Sequence, residues 1–165
     1  MTTDDQRNRG FTITRRIDAP RELVFKAWTD PEHLRWFATE EPAADNPIRV
    51  DLRVGGAWRV NMIESPTKSY MTGGVYREIV PPERLVFTWG AVGGWPSIEP
   101  DAPDEAPVVT VTLNDLGDAT EMVFHLGFAD HLTEEKVREL IATGMHEGWN
   151  QTLDRLPTYL LAAAD

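Results

Sequence analysis

The chain has 165 residues, and its 16 Lys and Arg stand against 27 Asp and Glu, giving a formal net charge of -11. That length suffices for one domain of ordinary size with a substantial core. The charge repels phosphate backbones and anionic headgroups, so neither nucleic acid nor a membrane is an expected partner. Because the chain contains no Cys, disulfides and thiolate chemistry are excluded and a cytoplasmic location is expected.

The first elements are predicted to be a short arm, a strand and two helices. Residues 1–10 are polar and aperiodic, so we expect a disordered arm that lacks the apolar core of a signal peptide. Alternation from Phe11 to Ile17 predicts a strand at a sheet edge. Helical spacing then predicts one helix from Pro20 to Thr29 and a second, short one from Pro31 to Trp36.

The middle of the chain is a series of short alternating runs separated by turn residues. Alternation of this kind is typical of strands that bury one face. The predicted strands contain, in order, Ile48 to Leu52, Trp58 to Met62, Gly73 to Val80, Leu85 to Trp89, Val109 to Leu113 and Met122 to Phe128. Their close spacing predicts an antiparallel meander.

The last segment changes to a helical period. Thr133 can cap a helix whose first turn carries the acidic Glu134 and Glu135. We expect this helix to reach about Leu161, with Pro157 kinking it or ending it early. Its apolar stripe is predicted to consist of Val137, Ile141, Met145, Gly148, Thr152, Leu156 and Tyr159.

Together these elements predict an α+β architecture. A curved antiparallel sheet wrapped around one long C-terminal helix buries the apolar faces of both, and two short helices follow the first strand. We find no internal repeat, and the single domain is expected over residues 11–163.

The polar residues argue against several kinds of catalytic site. None of the serines lies in the Gly-x-Ser-x-Gly elbow of a serine hydrolase. No pair of histidines has the i, i+4 spacing of a zinc site, and no Gly-Gly pair has the Lys of a P-loop. We therefore expect no metal and no cofactor; the histidines are His33, His125, His131 and His146.

The aromatic residues favour a binding cavity. The chain holds six Trp, six Phe and five Met, and the strand pattern points many of them toward the long helix. That helix carries small residues at Gly144, Gly148 and Thr152, which leave either close packing or a cavity. Aromatic-lined cavities with few polar groups bind small apolar ligands.

Four polar side chains are candidates for orienting such a ligand. Tyr76 is the favoured one. Arg59 is expected to face solvent, because it alternates with inward-facing neighbours. The candidates are Arg59, Tyr76, Thr88 and His125.

Four segments carry a family resemblance: RRIDAPRELVFKAWTDPEHLRWF (15–37), VGGAWRVNM (54–62), PPERLVFTW (81–89) and HEGWNQTLDRLPTYL (146–160). They resemble, in the same order, the bacterial homologues of the activator of heat-shock protein 90 ATPase, within the START-like or SRPBCC superfamily. The resemblance spans about Phe11 to Leu161. It implies the helix-grip (START-like, Bet v 1-like) fold with a deep, mainly hydrophobic cavity, in which superfamily relatives bind lipids, sterols, hormones or polyketides.

Carried onto this sequence, the resemblance implies a cavity lining without catalytic residues. That lining consists of Trp28, Trp36, Trp58, Tyr76, Trp89, Met145, Gly148 and Trp149. The inward-facing positions of the predicted strands add Val60, Met62, Phe87, Phe124 and Leu126.

The sequence departs from the family in two places. The acidic, proline-rich segment Pro96–Pro107 looks longer than the corresponding connection of many relatives, and is expected to be a surface loop or a lid. The resemblance turns His125 inward together with Phe128, whereas alternation turns Phe124 and Leu126 inward. The two predictions agree only if the strand contains a bulge.

Three functions follow as hypotheses. The leading one is a cytoplasmic protein that binds a hydrophobic, aromatic or lipid-like small molecule between sheet and helix. The alternatives are a polyketide cyclase or dehydratase-like enzyme using Tyr76 or His125 as acid or base, and a stress-related accessory protein that docks on a chaperone through its acidic surface. The oligomeric state, monomer or homodimer, stays open.

Overall fold

The alternating segments form one antiparallel β-sheet. The computed structural model describes residues 10–30, 49–65, 68–92, 107–128 and 133–164. The strands are β1 (Gly10–Ile17), β2 (Arg49–Val50), β3 (Ala57–Ser65), β4 (Lys68–Val80), β5 (Arg84–Thr88), β6 (Gly90–Val92), β7 (Val108–Asp115) and β8 (Thr120–Gly127).

The sheet is a curved meander with one long-range pairing. Its strand order is β1-β8-β7-β5-β4-β3-β2, with β6 pairing to β4 off this path. The first strand therefore lies at an edge, as its sequence predicts. The second strand is shorter than predicted, because Leu52 lies beyond it and is exposed, while Ile48 falls outside the described residues.

The first helix matches its prediction closely. Helix α1 runs over Arg21–Thr29, with Pro20 at the N-cap position and Asp30 closing the last turn through its backbone N–H. Its buried face includes Val24, Phe25 and Trp28, which pack on the sheet side. The predicted second helix, including Trp36, lies outside the described residues, as does the acidic loop up to residue 106.

The C-terminal segment is not the single uninterrupted helix that was predicted. Helix α2 (Glu134–Leu140) and helix α3 (His146–Ala164) are separated by a kinked segment (Ile141–Met145). The break lies at Gly144, whose φ of 101° is not helical. The expectation of an early end at Pro157 is wrong, because α3 continues through Pro157 to Ala164.

The break changes which face of α3 is buried. The kink at Gly144 separates two helices, so the helical period before it does not predict which face is buried after it. Instead of Gly148 and Thr152, which are half-buried, the inward stripe of α3 consists of Trp149, Leu153, Leu156 and Leu160.

The core lies between the inner face of the sheet and helices α1 and α3. Buried and half-buried residues alternate without interruption along β8, so the strand has one core face. Arg15 on the edge strand fastens α3 in place by donating to Asn150 Oδ1 and, at 3.3 Å, to Asp154 Oδ1. Among the described helices, none is long and apolar enough to cross a membrane.

Candidate ligand-binding site

The inner face of the sheet brings most of the predicted lining residues together. Nine of them belong to one buried hydrophobic cluster: Trp28, Trp58, Val60, Tyr76, Phe87, Trp89, Phe124, Leu126 and Trp149. Trp36, one of the remaining four, is outside the described residues. The other three are Met62 in β3, Met145 in the kinked segment and the half-buried Gly148 in α3. Their role in ligand binding stays a prediction.

Phe124 lies at the centre of the aromatic packing. Its ring centroid is 4.6 Å from Trp149 and 6.3 Å from Trp28. On the edge strand, Phe11 stacks on the same ring at 6.3 Å. Sequence reasoning missed Phe11 as a site residue, although its position in the alternating first strand already turned it inward. Through Phe124 the sheet, α1 and α3 share one aromatic contact network.

A second aromatic group surrounds Phe87. The rings of Trp58 and Tyr76 meet it edge-on, with centroids 5.3 Å and 6.4 Å away. Trp28 lies 5.9 Å from the same ring and so joins the two groups. Edge-to-face contacts of this kind favour a defined arrangement over a loosely packed one.

Most polar groups of this interior already have hydrogen-bond partners. Three indole N–H groups donate within the fold: Trp28 to Met122 Sδ at 3.4 Å, Trp58 to the Thr88 carbonyl at 3.2 Å and Trp89 to Thr72 Oγ1 at 3.0 Å. The polar candidate Thr88 is likewise engaged, because its hydroxyl accepts from the Val75 backbone N–H at 2.8 Å. This hydrogen bond links Thr88 of β5 to Val75 of β4, so the hydroxyl is engaged within the sheet.

Arg59 lies on the opposite side of the sheet from Trp58. Its side chain is half-buried, and its guanidinium donates to the carbonyls of Trp58 at 2.8 Å and Gly74 at 3.0 Å. Alternation therefore predicts the correct face of the sheet for Arg59, where its hydrogen bonds link β3 to β4. The interior contains Tyr76, the favoured polar candidate, whose pKa is raised by burial.

His125 faces away from the cluster. The residues on either side of it, Phe124 and Leu126, are fully buried, and the pairing with β7 runs without a register shift. His125 Nδ1 instead shares a hydrogen bond of 2.9 Å with the Thr12 hydroxyl on the outer face. The orientation implied by the resemblance is wrong at this position, because there is no bulge in β8 to reverse the side chain.

The outward position of His125 makes an acid-dependent loss of stability testable. Burial lowers the pKa of His125 below its ordinary value of 6.5, so the unfolded chain binds this proton more readily than the folded one. The contribution of His125 to the free energy of unfolding is complete above the pKa that His125 has in the unfolded chain. It is lost as the pH falls through the lower pKa that His125 has in the folded protein. We expect His125→Gln to flatten the fall in urea midpoint between about pH 7 and about pH 5. A profile as steep as that of the unchanged protein would contradict this cause.

The small residues of the C-terminal helix do not form the wall that was predicted. Gly144 is exposed and adopts a positive φ, which explains the glycine without a cavity. Thr152 is half-buried, and its hydroxyl bonds back to the Gly148 carbonyl at 2.9 Å. The large Trp149 and Leu153 face the sheet instead. Within the described residues, the small side chains of the C-terminal helix therefore do not support the prediction of a cavity.

An open cleft on the surface was not predicted. It has a volume of about 420 Å³, and it is lined by Glu22, Phe25, Lys26, Thr29, Asp30, Val50 and Leu52. Phe25 belongs to the core cluster and Val50 packs against it, so the floor of the cleft is the edge of the core. Three charged side chains set it apart from the interior, and its apolar floor was hidden from sequence reasoning because α1 and β2 meet only in the fold.

An antiparallel sheet curved around a C-terminal helix, with an aromatic cluster between them, defines the helix-grip class of proteins. The model of the family described as Activator of Hsp90 ATPase homolog 1-like protein matches residues 18–161. The chain belongs to this family, as its sequence motifs predict. A search of curated proteins gave no match.

Solved structures of similar proteins support the fold. Mll3558 from Rhizobium loti is 27% identical, with a TM-score of 0.63 over 91% of this chain and 95% of the other. NE0264 from Nitrosomonas europaea is 23% identical, with a TM-score of 0.73 over 95% and 97%. A protein from Arthrobacter aurescens is 23% identical, with a TM-score of 0.74 over 96% and 89%. At these identities the last two show the fold alone.

Proposed function

We propose that the protein binds a hydrophobic or aromatic small molecule between the sheet and helix α3, without catalysing a reaction. The supporting observation is the convergence of nine predicted lining residues, seven of them aromatic, in one buried cluster. Aromatic rings provide large apolar contact areas at little cost in side-chain entropy. We further propose a cytoplasmic location, in line with the absence of Cys.

Entry of a ligand requires local opening, because the cluster residues are shielded from solvent. Helix α2 is the element best suited to open. Glu134, Glu135 and Glu139 on it are exposed, and Val137 supplies a fully buried anchor. Elements with few buried contacts open at a smaller free-energy cost than the rest of a fold.

The test uses the neutral fluorescent probe N-phenyl-1-naphthylamine. Saturable binding with a blue-shifted emission, and energy transfer from the protein's Trp residues, is expected. Native mass spectrometry of protein purified without denaturant then identifies any co-purified molecule that the probe displaces. Absence of saturable binding up to the solubility limit of the probe would contradict the proposal.

Two variants separate the interior from the surface cleft. Leu52→Asp places a charge in the cleft at a position that is 44% exposed, so the fold should tolerate it. Leu126→Asn changes the interior, where the residue is fully buried. Binding that survives the first variant but falls in the second, at a temperature where both remain folded, supports the interior site. The reverse result would assign the probe to the cleft.

The catalytic alternative loses its residue pair. General acid-base catalysis needs both groups within reach of one substrate. Tyr76 faces the interior, whereas His125 lies on the outer face beside Thr12. These two residues therefore do not act on the same molecule.

A second candidate function, a chaperone accessory protein, is favoured by the family description and by the charge of -11. A basic surface on the partner would be attracted to this acidic protein, and the attraction would weaken with salt. The protein would then raise the ATPase rate of a bacterial Hsp90-type chaperone at low salt. An unchanged rate at saturating protein would count against this function.

A further inference from the structure

We infer that the ligand of this interior is an uncharged, largely apolar molecule with one hydrogen-bond acceptor, a carbonyl or hydroxyl oxygen, that receives the Tyr76 hydroxyl. The inference rests on the proposed function and narrows it to a chemical class. It comes from the distribution of charged and polar groups over the described residues.

The described interior offers no ionic partner. Among the residues that the structure describes, no buried side chain carries a charge. The buried polar side chains there are the threonines Thr29, Thr72, Thr88 and Thr120. Arg155, next to the inward-facing Leu156, is half-buried and takes part in an interaction of its own. An ionised carboxylate or phosphate entering here would lose its hydration without gaining a buried cation from the described residues.

Each of the four threonine hydroxyls forms a hydrogen bond within the fold. Thr29 donates to the Phe25 carbonyl at 2.9 Å, and Thr120 donates to the Ala19 carbonyl at 2.7 Å. The other two accept hydrogen bonds from the Trp89 indole and the Val75 backbone, as described above. A ligand that accepts a hydrogen bond would have to break a bond of the fold to reach the hydroxyl of Thr29 or Thr120, because each already donates its proton.

Tyr76 differs from these groups. Its side chain is only 2% exposed, and no described residue forms a hydrogen bond with its hydroxyl. Because burial raises its pKa, the group stays a protonated phenol and is available as a donor throughout the physiological range. A ligand oxygen placed against this hydroxyl would gain the hydrogen bond that water otherwise supplies.

Three naphthalenes of similar size test the inference. They are 2-acetylnaphthalene, which carries a neutral acceptor, 2-ethylnaphthalene, which has none, and 2-naphthoate, which is anionic at pH 7. By displacement of N-phenyl-1-naphthylamine, the ketone is expected to bind roughly three- to tenfold more tightly than the hydrocarbon. The naphthoate is expected to bind at least roughly tenfold more weakly than the ketone.

The variant Tyr76→Phe assigns the preference to its residue. We expect it to remove the advantage of the ketone while leaving the affinity for 2-ethylnaphthalene within about twofold. Its matched control, Thr14→Val, removes an exposed hydroxyl from the outer face and should retain the preference. The carbonyl stretch of bound 2-acetylnaphthalene, at lower wavenumber in the unchanged protein than in Tyr76→Phe, gives a second readout.

The outcomes separate this inference from the proposed function. If the naphthoate binds as tightly as the ketone, or if Tyr76→Phe keeps the ketone preference, the inference is overturned while hydrophobic binding stands. If N-phenyl-1-naphthylamine and the naphthalenes all fail to bind, the proposed function fails and the inference with it.

Discussion

Replacing Phe124 with Ala is expected to lower the free energy of unfolding by about 3–5 kcal/mol, because a large aromatic side chain is removed from a closely packed core. Phe124 is fully buried and contacts rings from β1, α1 and α3. Urea denaturation followed by Trp fluorescence and by circular dichroism measures the loss.

The adjacent residue provides a matched control. Val123 lies on the same strand but faces outward and is half-buried, with Thr14 and Thr112 as its cross-strand neighbours. We expect Val123→Ala to cost about 1 kcal/mol or less. Because a register slip of one residue would exchange the two faces, equal losses in the two variants would show that β8 is not paired as described.

The sheet was the part of the fold that sequence patterns could predict best. A strand that buries one face repeats a period of two in its apolar residues, and β7 and β8 follow it without a break, whereas all four residues of β5 after Arg84 are buried. Helix α1 was equally accessible, since Pro20 and Asp30 mark its two ends. The pairing of β1 with β8 required tertiary information, because their partners are far apart in sequence.

The candidate site could be predicted only in part. Alternation correctly placed Phe87, Phe124 and Leu126 on one buried face. Alternation also predicted the outward orientation of the His125 side chain correctly, whereas the family resemblance did not. Side-chain direction in a strand without a bulge is fixed by geometry. Whether a polar group is free to meet a ligand depends on contacts across the fold, such as the bond from Trp89 to Thr72, which no sequence period encodes.

The C-terminal helix shows why a correct period can give a wrong face. Val137 before the break fits the predicted stripe, and it is buried. After the break the buried positions move by one residue, from Gly148 to Trp149. The kink at Gly144 accompanies that shift, and its only sequence signal is a glycine, which also fits an ordinary helix or a helix end.

Replacing Gly144 with Ala is therefore expected to destabilise the protein by about 1–2 kcal/mol, whereas the same change inside a regular helix would stabilise it. Gly144 has a φ of 101°. An added Cβ would meet nothing within 4 Å, so the cost is one of backbone conformation and not of collision. If the chain instead straightened into one helix, the kink that precedes α3 and its buried Trp149 and Leu153 would be lost.

The variant Gly144→Asn separates the backbone cause from a general intolerance of side chains at this position. Asn adopts positive φ at a lower cost than Ala, so we expect it to lose less stability, although it is the larger residue. Thermal and urea unfolding of the three proteins measures the order. If Ala were as stabilising here as at an ordinary helical glycine, Gly144 would not hold a positive φ, and the kink before α3 would need another cause.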